Sequence, residues 1–268
     1  MPRWTAIVRK SSGKRSEGQL LASNIDTVLI VVSLTAGLDL SRMERFLALA
    51  WESGAEPLVV LTKADLVDNA EAVRSDAEAI APGVNVLLVS ARTGEGLDVL
   101  RACTSGSTAL IGQSGAGKST LTNTLAGRKI LAVQETRASD DKGRHTTTAR
   151  ELIPLPGGGV MIDTPGLRGV GLFGGEGLTY AFSEIESLAT QCRFHDCRHI
   201  SEPDCAVLAA LEDGSLSERR WANYVKLQKE SAWIASRTDA RLRAERLKEW
   251  KAIYQNVTHR PGGPGRRR

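Results

Sequence analysis

The chain has 268 residues, 41% hydrophobic and 25% charged, enough for one α/β domain of about 150 residues and a smaller unit. No apolar run approaches the ~18 residues of a membrane-spanning helix, and no apolar stretch follows Met1-Pro2-Arg3-Trp4 as in a secretory signal, so a cytoplasmic protein without a membrane partner is expected. The net charge is only +4, yet residues 217–268 hold 14 Lys and Arg against 5 Asp and Glu, a bias that suits a polyanionic partner such as nucleic acid.

Residues 1–23 contain one plausible strand, 4–9, followed by a polar Ser/Gly/Lys/Arg stretch, and are too short to bury a core of their own. From Asp26 a βαβα pattern begins. Apolar runs at 28–32, 57–61 and 84–89 read as buried strands, and residues 40–51, 70–80 and 97–101 have helical spacing. Ala109, Leu110 and Ile111 form the next strand and a helix with Leu121 and Leu125 follows. Strands at 151–155 and 159–162 flank Pro156-Gly157-Gly158, a hairpin signal. The alternation implies a parallel sheet covered on both faces. Residues 169–177 are too Gly-rich for a packed element. Helical patterns run on from about Ala181, and residues 261–268 read as a disordered basic tail.

Between strand and helix lies Gly112-Gln113-Ser114-Gly115-Ala116-Gly117-Lys118-Ser119-Thr120, the G-x-x-x-x-G-K-[ST] phosphate loop in the context it requires. Its glycines let backbone N–H groups close around phosphate oxygens at a helix N-terminus. Lys118 is expected to reach the β- and γ-phosphates and Ser119 to ligate Mg²⁺. Thr62-Lys63-Ala64-Asp65 ends the 57–61 strand, where open α/β sheets bind ligands. The Asp65 carboxylate would accept from guanine N1–H and the 2-amino group, a donor pair adenine lacks, and the Lys63 stem would lie along the base. Ser90-Ala91 ends the next strand, where small residues let backbone approach the base. Asp163-Thr164-Pro165-Gly166 follows the 159–162 strand and would supply a carboxylate near Mg²⁺ and a backbone N–H for the γ-phosphate.

These elements resemble a GTPase domain whose motifs occur in the permuted order G4–G5–G1–G2–G3. The switch I candidate is Gly143-Arg144-His145-Thr146-Thr147-Thr148, with Thr147 favoured over Thr146 as a Mg²⁺ ligand. Leu167 stands where many GTPases carry a water-orienting Gln, and His145 is the candidate for that task.

Four cysteines occur, Cys103, Cys192, Cys197 and Cys205, three of them clustered with His195 and His199. Cys192, Cys197, His199 and Cys205 make a closed set of three thiolates and an imidazole, suited to one structural Zn²⁺ with no open position for catalysis. His195 competes with His199 for the fourth place. Beyond the cluster, Arg219, Arg220, Lys226, Lys229, Arg237 and the basic residues after them interleave with Trp221, Tyr224, Trp233, Trp250 and Tyr254. The aromatics read as core at helical spacing more readily than as a base-stacking surface.

Permuted motifs followed by this Cys/His pattern resemble the ribosome small-subunit-dependent GTPase A family from Asp26 to about Tyr254. The fold class is then α/β: a leader or OB-fold remnant at 1–23, a circularly permuted P-loop GTPase domain at 24–177, a small helical zinc-binding domain at 178–260, and the tail. The resemblance implies late maturation of the small (30S) ribosomal subunit, rRNA contact, and GTP hydrolysis to GDP stimulated by that subunit, with Mg²⁺ and Zn²⁺ as cofactors and a monomeric state. Two departures stand out: only about 23 residues precede the GTPase, where the family has a whole OB-fold, and Thr62 replaces the usual Asn. Two other readings compete, an RNA-binding zinc module using GTP and GDP only as a switch, and a P-loop ATPase or kinase.

Overall fold

The structure, a computed structural model, describes residues 2–10, 18–132, 151–163 and 175–238. At the N-terminus β1 (Ala6–Lys10) pairs antiparallel with β2 (Gly18–Ser23), with a bulge between Ile7 and Val8. The second of these strands lies in the stretch read from sequence as merely polar. Leu20-Leu21-Ala22 is too short an apolar run to stand out alone, and its partner strand is what makes it one. The ribbon is stitched to the body: Thr5 Oγ1 donates to the Ile25 carbonyl at 2.8 Å, and Ala6 N–H donates to the Ser53 carbonyl at 2.8 Å.

The main sheet has six strands. β3 (Thr27–Ser33) leads through a 3₁₀ turn to α1 (Leu40–Glu52). β4 (Glu56–Thr62) leads to α2 (Ala70–Ile80). β5 (Asn85–Val89) is followed by α3 (Leu97–Cys103), and β6 (Ser107–Gly112) by α4 (Lys118–Leu125). β7 (Glu151–Pro154) and β8 (Val160–Asp163) form the expected hairpin. The order across the sheet is β5-β4-β3-β6-β8-β7, parallel except for β7 at the edge. Each boundary lies within a residue or two of the sequence expectation.

Alternation decides which face each side chain covers. Val28 and Ile30 of β3, with Val59 and Leu61 of β4, enter the core shared with α1, α2 and the C-terminal helices. Leu29, Val31, Leu58 and Val60 enter the opposite core with Leu97, Leu100, Leu121 and Leu125 of α3 and α4. Both faces are therefore dry, as a parallel sheet requires.

The C-terminal unit consists of α5 (Glu176–Ala181), α6 (Ser183–Ala189), α7 (Ala206–Glu212) and the long α8 (Glu218–Thr238). Its core is continuous with that of the sheet through Phe182, Ile185, Val207 and Leu227. Contrary to the sequence expectation, the end of the Gly-rich segment is packed. Gly177 sits against α1 so closely that a Cβ would fall 2.0 Å from the Ala48 carbonyl oxygen, and its N–H donates to Glu52 at 3.0 Å. Glycine there serves close helix approach rather than freedom of the chain.

Candidate functional site

The strand order changes direction between β3 and β6. Two strands, β4 and β5, build away from β3 on one side, and then the chain returns to place β6 on the other. Ligands of open α/β sheets bind at the carboxyl ends of strands at such a point. The phosphate loop leaves β6 there. A cavity of about 220 Å³ opens beside it, between the end of β3, the first turns of α1 and residues 113–116, with Ser33, Thr35, Arg42 and Lys63 in its wall.

The loop itself is held tightly. Gly112 lies at φ +149°, and a Cβ would meet the Val31 carbonyl oxygen at 2.2 Å, so only glycine lets β6 turn against β3 here. Lys118 Nζ donates to the carbonyls of Gly112 (2.8 Å) and Gln113 (2.6 Å), spanning the loop from within. Thr120 and Thr124 follow on α4, joined by a bond from the Thr124 hydroxyl to the Thr120 carbonyl.

The base-reading stretch is tied directly to this loop. Thr62 Oγ1 donates to the Ala116 carbonyl at 2.7 Å, and Lys63 Nζ donates to the Gly115 carbonyl at 3.2 Å. The short hydroxyl therefore fastens the two loops where Thr62 replaces Asn. Lys63 is a non-glycine residue at φ +60°, strain of the kind that accumulates at ligand sites. Asp65 follows, its side chain only 9% exposed. Ser90, fully buried at the end of β5, donates to Asp65 Oδ1 at 2.5 Å and accepts from the N–H groups of Arg92 and Thr93. The Ser90 hydroxyl, against some opposition from burial and with help from Arg92, holds the Asp65 carboxyl below the ordinary carboxylate range. Ala91 is the next residue in the same turn.

Asp65, Ser90, the phosphate loop with Ser114 and Ser119, and the Asp163 end of β8 thus share one edge of one sheet. The Asp163 side chain, Gly166, Leu167, His145, Thr146 and Thr147 lie outside the described residues. Sequence reasoning missed Asn123 on α4. Its Oδ1 accepts from Ile130 and Leu131 N–H at 2.8 Å each, and its Nδ2 donates to the Leu131 carbonyl at 2.8 Å. The chain leaving α4 is thereby clamped to the helix that carries Lys118 and Ser119. A polar residue on an otherwise ordinary helix offers no local signal of that task.

The Cys/His cluster forms as expected. One ligand atom each from Cys192, Cys197, His199 and Cys205 lies within 4.8 Å of the others. Cys192 Sγ is 3.8 Å from Cys205 Sγ, and His199 Nδ1 is 3.6 Å and 3.3 Å from those two sulfurs. The sulfur spacing is far beyond a disulfide bond and matches the edge, about 3.8 Å, of a tetrahedron with 2.3 Å Zn–S bonds. The donor set fits Zn²⁺. His195 is exposed and outside the group.

The cluster joins the end of α6 to the start of α7. Burial opposes ionisation of Cys192, but N–H groups of Ala206 and Val207 turn toward it and bring its thiol below the usual value. Burial, with the neighbouring sulfurs, pushes the Cys197 thiol up to about 11. Three thiolates so close need a cation between them. Glu202 caps the intervening turn, accepting from Arg198, Ile200 and Ser201 N–H at 2.8–3.0 Å, which brings its carboxyl down to about 2. Phe182 is fully buried, whereas Phe194 beside the cluster is 41% exposed. Of the aromatics on α8, Tyr224 is buried and stacks on Trp221, which meets the His199 ring edge-on, whereas Trp233 is 42% exposed. Trp250, Tyr254 and the basic residues beyond Thr238 lie outside the described residues.

Comparison with known proteins agrees with this architecture. Residues 1–173 match the family model described as RsgA GTPase. The chain is 61% identical over 256 residues to a Streptomyces avermitilis protein named small ribosomal subunit biogenesis GTPase RsgA, covering 94% of this chain and 69% of that one. It is 62% identical to the Streptomyces coelicolor protein of the same name, covering 94% and 70%. Among solved structures, YjeQ from Thermotoga maritima superposes with a TM-score of 0.63 at 28% identity, covering 86% of this chain and 76% of that one. YloQ, described as a circularly permuted GTPase, superposes with a TM-score of 0.59 at 25% identity, covering 86% and 81%. With the family model spanning the ribbon and the sheet, and close relatives spanning nearly all of the chain, this protein belongs to the RsgA GTPase family.

Proposed function

We propose that the protein hydrolyses GTP to GDP and phosphate, that the small ribosomal subunit stimulates the reaction, and that it acts late in assembly of that subunit while touching its rRNA. The observation that carries the nucleotide assignment is Asp65, a nearly buried carboxylate oriented by Ser90 at the same sheet edge as the phosphate loop. In this reading residues 112–120 cradle the phosphates, with Lys118 turning from the loop carbonyls to the β- and γ-phosphates. Thr62, Lys63, Asp65, Ser90 and Ala91 form the base site. Ser119, Thr147 and Asp163 would hold Mg²⁺, which supplies charge neutralisation between the phosphates. Gly166 N–H meets the γ-phosphate, and His145 orients the attacking water. Cys192, Cys197, His199 and Cys205 would hold one structural Zn²⁺, which organises the turn between α6 and α7. The protein works as a cytoplasmic monomer, divided as residues 1–23, 24–177, 178–260 and a basic tail. Among the described residues no helix is long and apolar enough to cross a membrane.

The test is GTP turnover with and without small subunits. Stimulation of at least tenfold is expected, and turnover indifferent to the subunit would overturn the ribosomal reading. A second reading, a switch with negligible turnover, is favoured by Leu167 in place of a water-orienting Gln. It would hold if turnover stayed near background with subunits present. Asp65→Asn is expected to move preference from guanine to xanthine nucleotides, whose 2-oxo group needs a donor. It should lower GDP affinity roughly 5- to 150-fold, the cost of leaving a base donor facing the wrong amide group being ~1–3 kcal/mol. Unchanged GDP affinity, measured by calorimetry, would remove Asp65 from the base site, and ATP competing equally with GTP would point to an ATPase instead.

A further inference from the structure

Both oxygens of the Asp65 carboxylate already have partners. Ser90 Oγ takes Oδ1 at 2.5 Å, and Arg92 takes Oδ2 with Nε and Nη2, each at 2.7 Å. Each carboxylate oxygen has two lone pairs. Oδ1 keeps one for a further donor, whereas Oδ2 has spent both on the guanidinium. A base that presents N1–H and a 2-amino group needs one site on each oxygen. It can share Oδ1 with Ser90, but it meets Arg92 in direct competition at Oδ2.

We propose that Arg92 is a specificity-determining placeholder for guanine: its guanidinium occupies the Asp65 carboxylate until a base with two adjacent donors displaces it. The inference rests on the assignment of Asp65 as the base reader. Three features make displacement feasible. The Arg92 side chain is 71% exposed while Asp65 is 9% exposed, so the arginine leaves into water and the carboxylate stays in place. Ser90, fully buried and also bonded to the backbone of residues 92 and 93, holds the carboxylate's orientation after the arginine has gone. The guanidinium is planar with forked donors, so it presents two N–H groups to the edge where guanine would present its own.

The placeholder also raises discrimination. Without it Asp65 would stand as a nearly buried, half-solvated anion that any purine could cover. With it, a base lacking the donor pair must break two charge-assisted bonds and return none to Oδ2. Guanine replaces them. Arg92 thereby weakens all binding somewhat and weakens wrong binding more.

The experiment is stopped-flow binding of fluorescent GDP and ADP analogues to the full chain, wild type against Arg92→Ala and Arg92→Lys, at about 25 mM and about 500 mM salt. An ion pair whose cation stands in solvent is worth roughly up to fivefold in affinity. Arg92→Ala is therefore expected to bind GDP about two- to fivefold more tightly at low salt, through a faster association rate with an unchanged dissociation rate. The gap should close at high salt, where the ion pair is screened. Arg92→Lys should fall between, since an ammonium cannot fork. The ADP analogue should gain more from Arg92→Ala than GDP does. Weaker GDP binding in Arg92→Ala, or a change carried by the dissociation rate, would show that Arg92 contacts the bound nucleotide and would overturn the proposal. Unaltered rates would do so as well. Asp65→Asn, assayed beside them with a xanthosine diphosphate analogue, separates the two levels. If it fails to gain affinity for xanthine the base assignment itself is wrong; if it gains, a negative result at Arg92 condemns only the placeholder.

Discussion

Glu44→Ala should lower the unfolding free energy by about 3–5 kcal/mol, the cost of stripping one partner from a buried ion network. Glu44 is on α1 and is fully buried. It accepts from Arg219 Nη2 at 2.7 Å and Nη1 at 3.1 Å, Arg220 Nη1 at 3.0 Å, and Asn223 Nδ2 at 2.5 Å, all on α8. Arg220 is itself buried. It pairs through Nε with Glu184 of α6, donates to the carbonyls of Ala181 (2.9 Å) and Ile80 (3.3 Å), and lies 4.8 Å over the Phe182 ring. Burial works against the charge on Arg220, and Glu184 with Glu44 more than compensates. Removing the Glu44 carboxylate leaves two guanidinium groups facing each other without their shared acceptor. The adjacent Arg45 of α1 adds a two-pronged pair to Glu230 farther along α8, both bonds 2.6 Å.

Denaturant unfolding followed by tryptophan fluorescence, to which Trp51 on α1 and Trp221 and Trp233 on α8 contribute among five tryptophans, and by far-ultraviolet circular dichroism gives the measurement. The fluorescence transition should move to lower denaturant first, because the C-terminal helices lose their hold on α1 before the sheet melts. A loss below about 1 kcal/mol, the scale of an exposed pair, would show that the network is solvated in solution. Glu44→Gln should lie between the two, keeping shape and two acceptor sites while losing charge.

Removal of metal has the second large effect expected. Cys205→Ser should abolish binding of one equivalent of zinc and loosen α6 and α7, as should treatment of the wild type with a strong chelator. Structural zinc contributes apparent binding free energies of ~10–16 kcal/mol in small peptides. Here the loss should be smaller and local, because Phe182, Ile185 and Val207 remain anchored in the core shared with the sheet. Limited proteolysis near Phe194 and Ile200, which are exposed beside the cluster, reports the loosening directly. An unaltered digestion pattern after complete chelation would show that the turn stands without metal.

The same site should depend on pH with a definite sign. Metal binding displaces one proton from each thiol still protonated. With the Cys197 thiol up at about 11 in the absence of metal, affinity must fall as pH is lowered. Glu202, down at about 2, retains its cap on the turn throughout that range. Its contribution to stability is complete above the unfolded carboxyl value and is lost only as pH falls toward 2.

Motifs that act through backbone shape and near neighbours in the chain were legible in the amino acids alone. The phosphate loop is nine consecutive residues, the Cys/His set spans fourteen positions, and Thr62 to Asp65 are contiguous. Strand and helix periods showed the sheet because its central strands β3, β4 and β6 are covered on both faces and so read as unbroken apolar runs. Features that depend on a distant partner were not legible. The strand Gly18–Ser23 needs β1, Asn123 needs the backbone seven and eight residues on, and Gly177 is explained only by the Ala48 carbonyl across the helix contact. Neither Arg92, in a turn, nor Glu44, within α1, carries a local signal of its partner.

The amino-acid sequence by itself determined the permuted order of motifs and the chemistry each supplies, since residue type and local spacing settle what a loop can bind. Tertiary structure alone decided what those groups face: Asp65 with both oxygens engaged, Thr62 fastened to the phosphate loop, and α8 joined to α1 through the buried Glu44 carboxylate. Such pairings join residues dozens to nearly two hundred positions apart, and they strengthen in the low dielectric that exists only once the chain has closed around them, which offsets the cost of desolvating their groups.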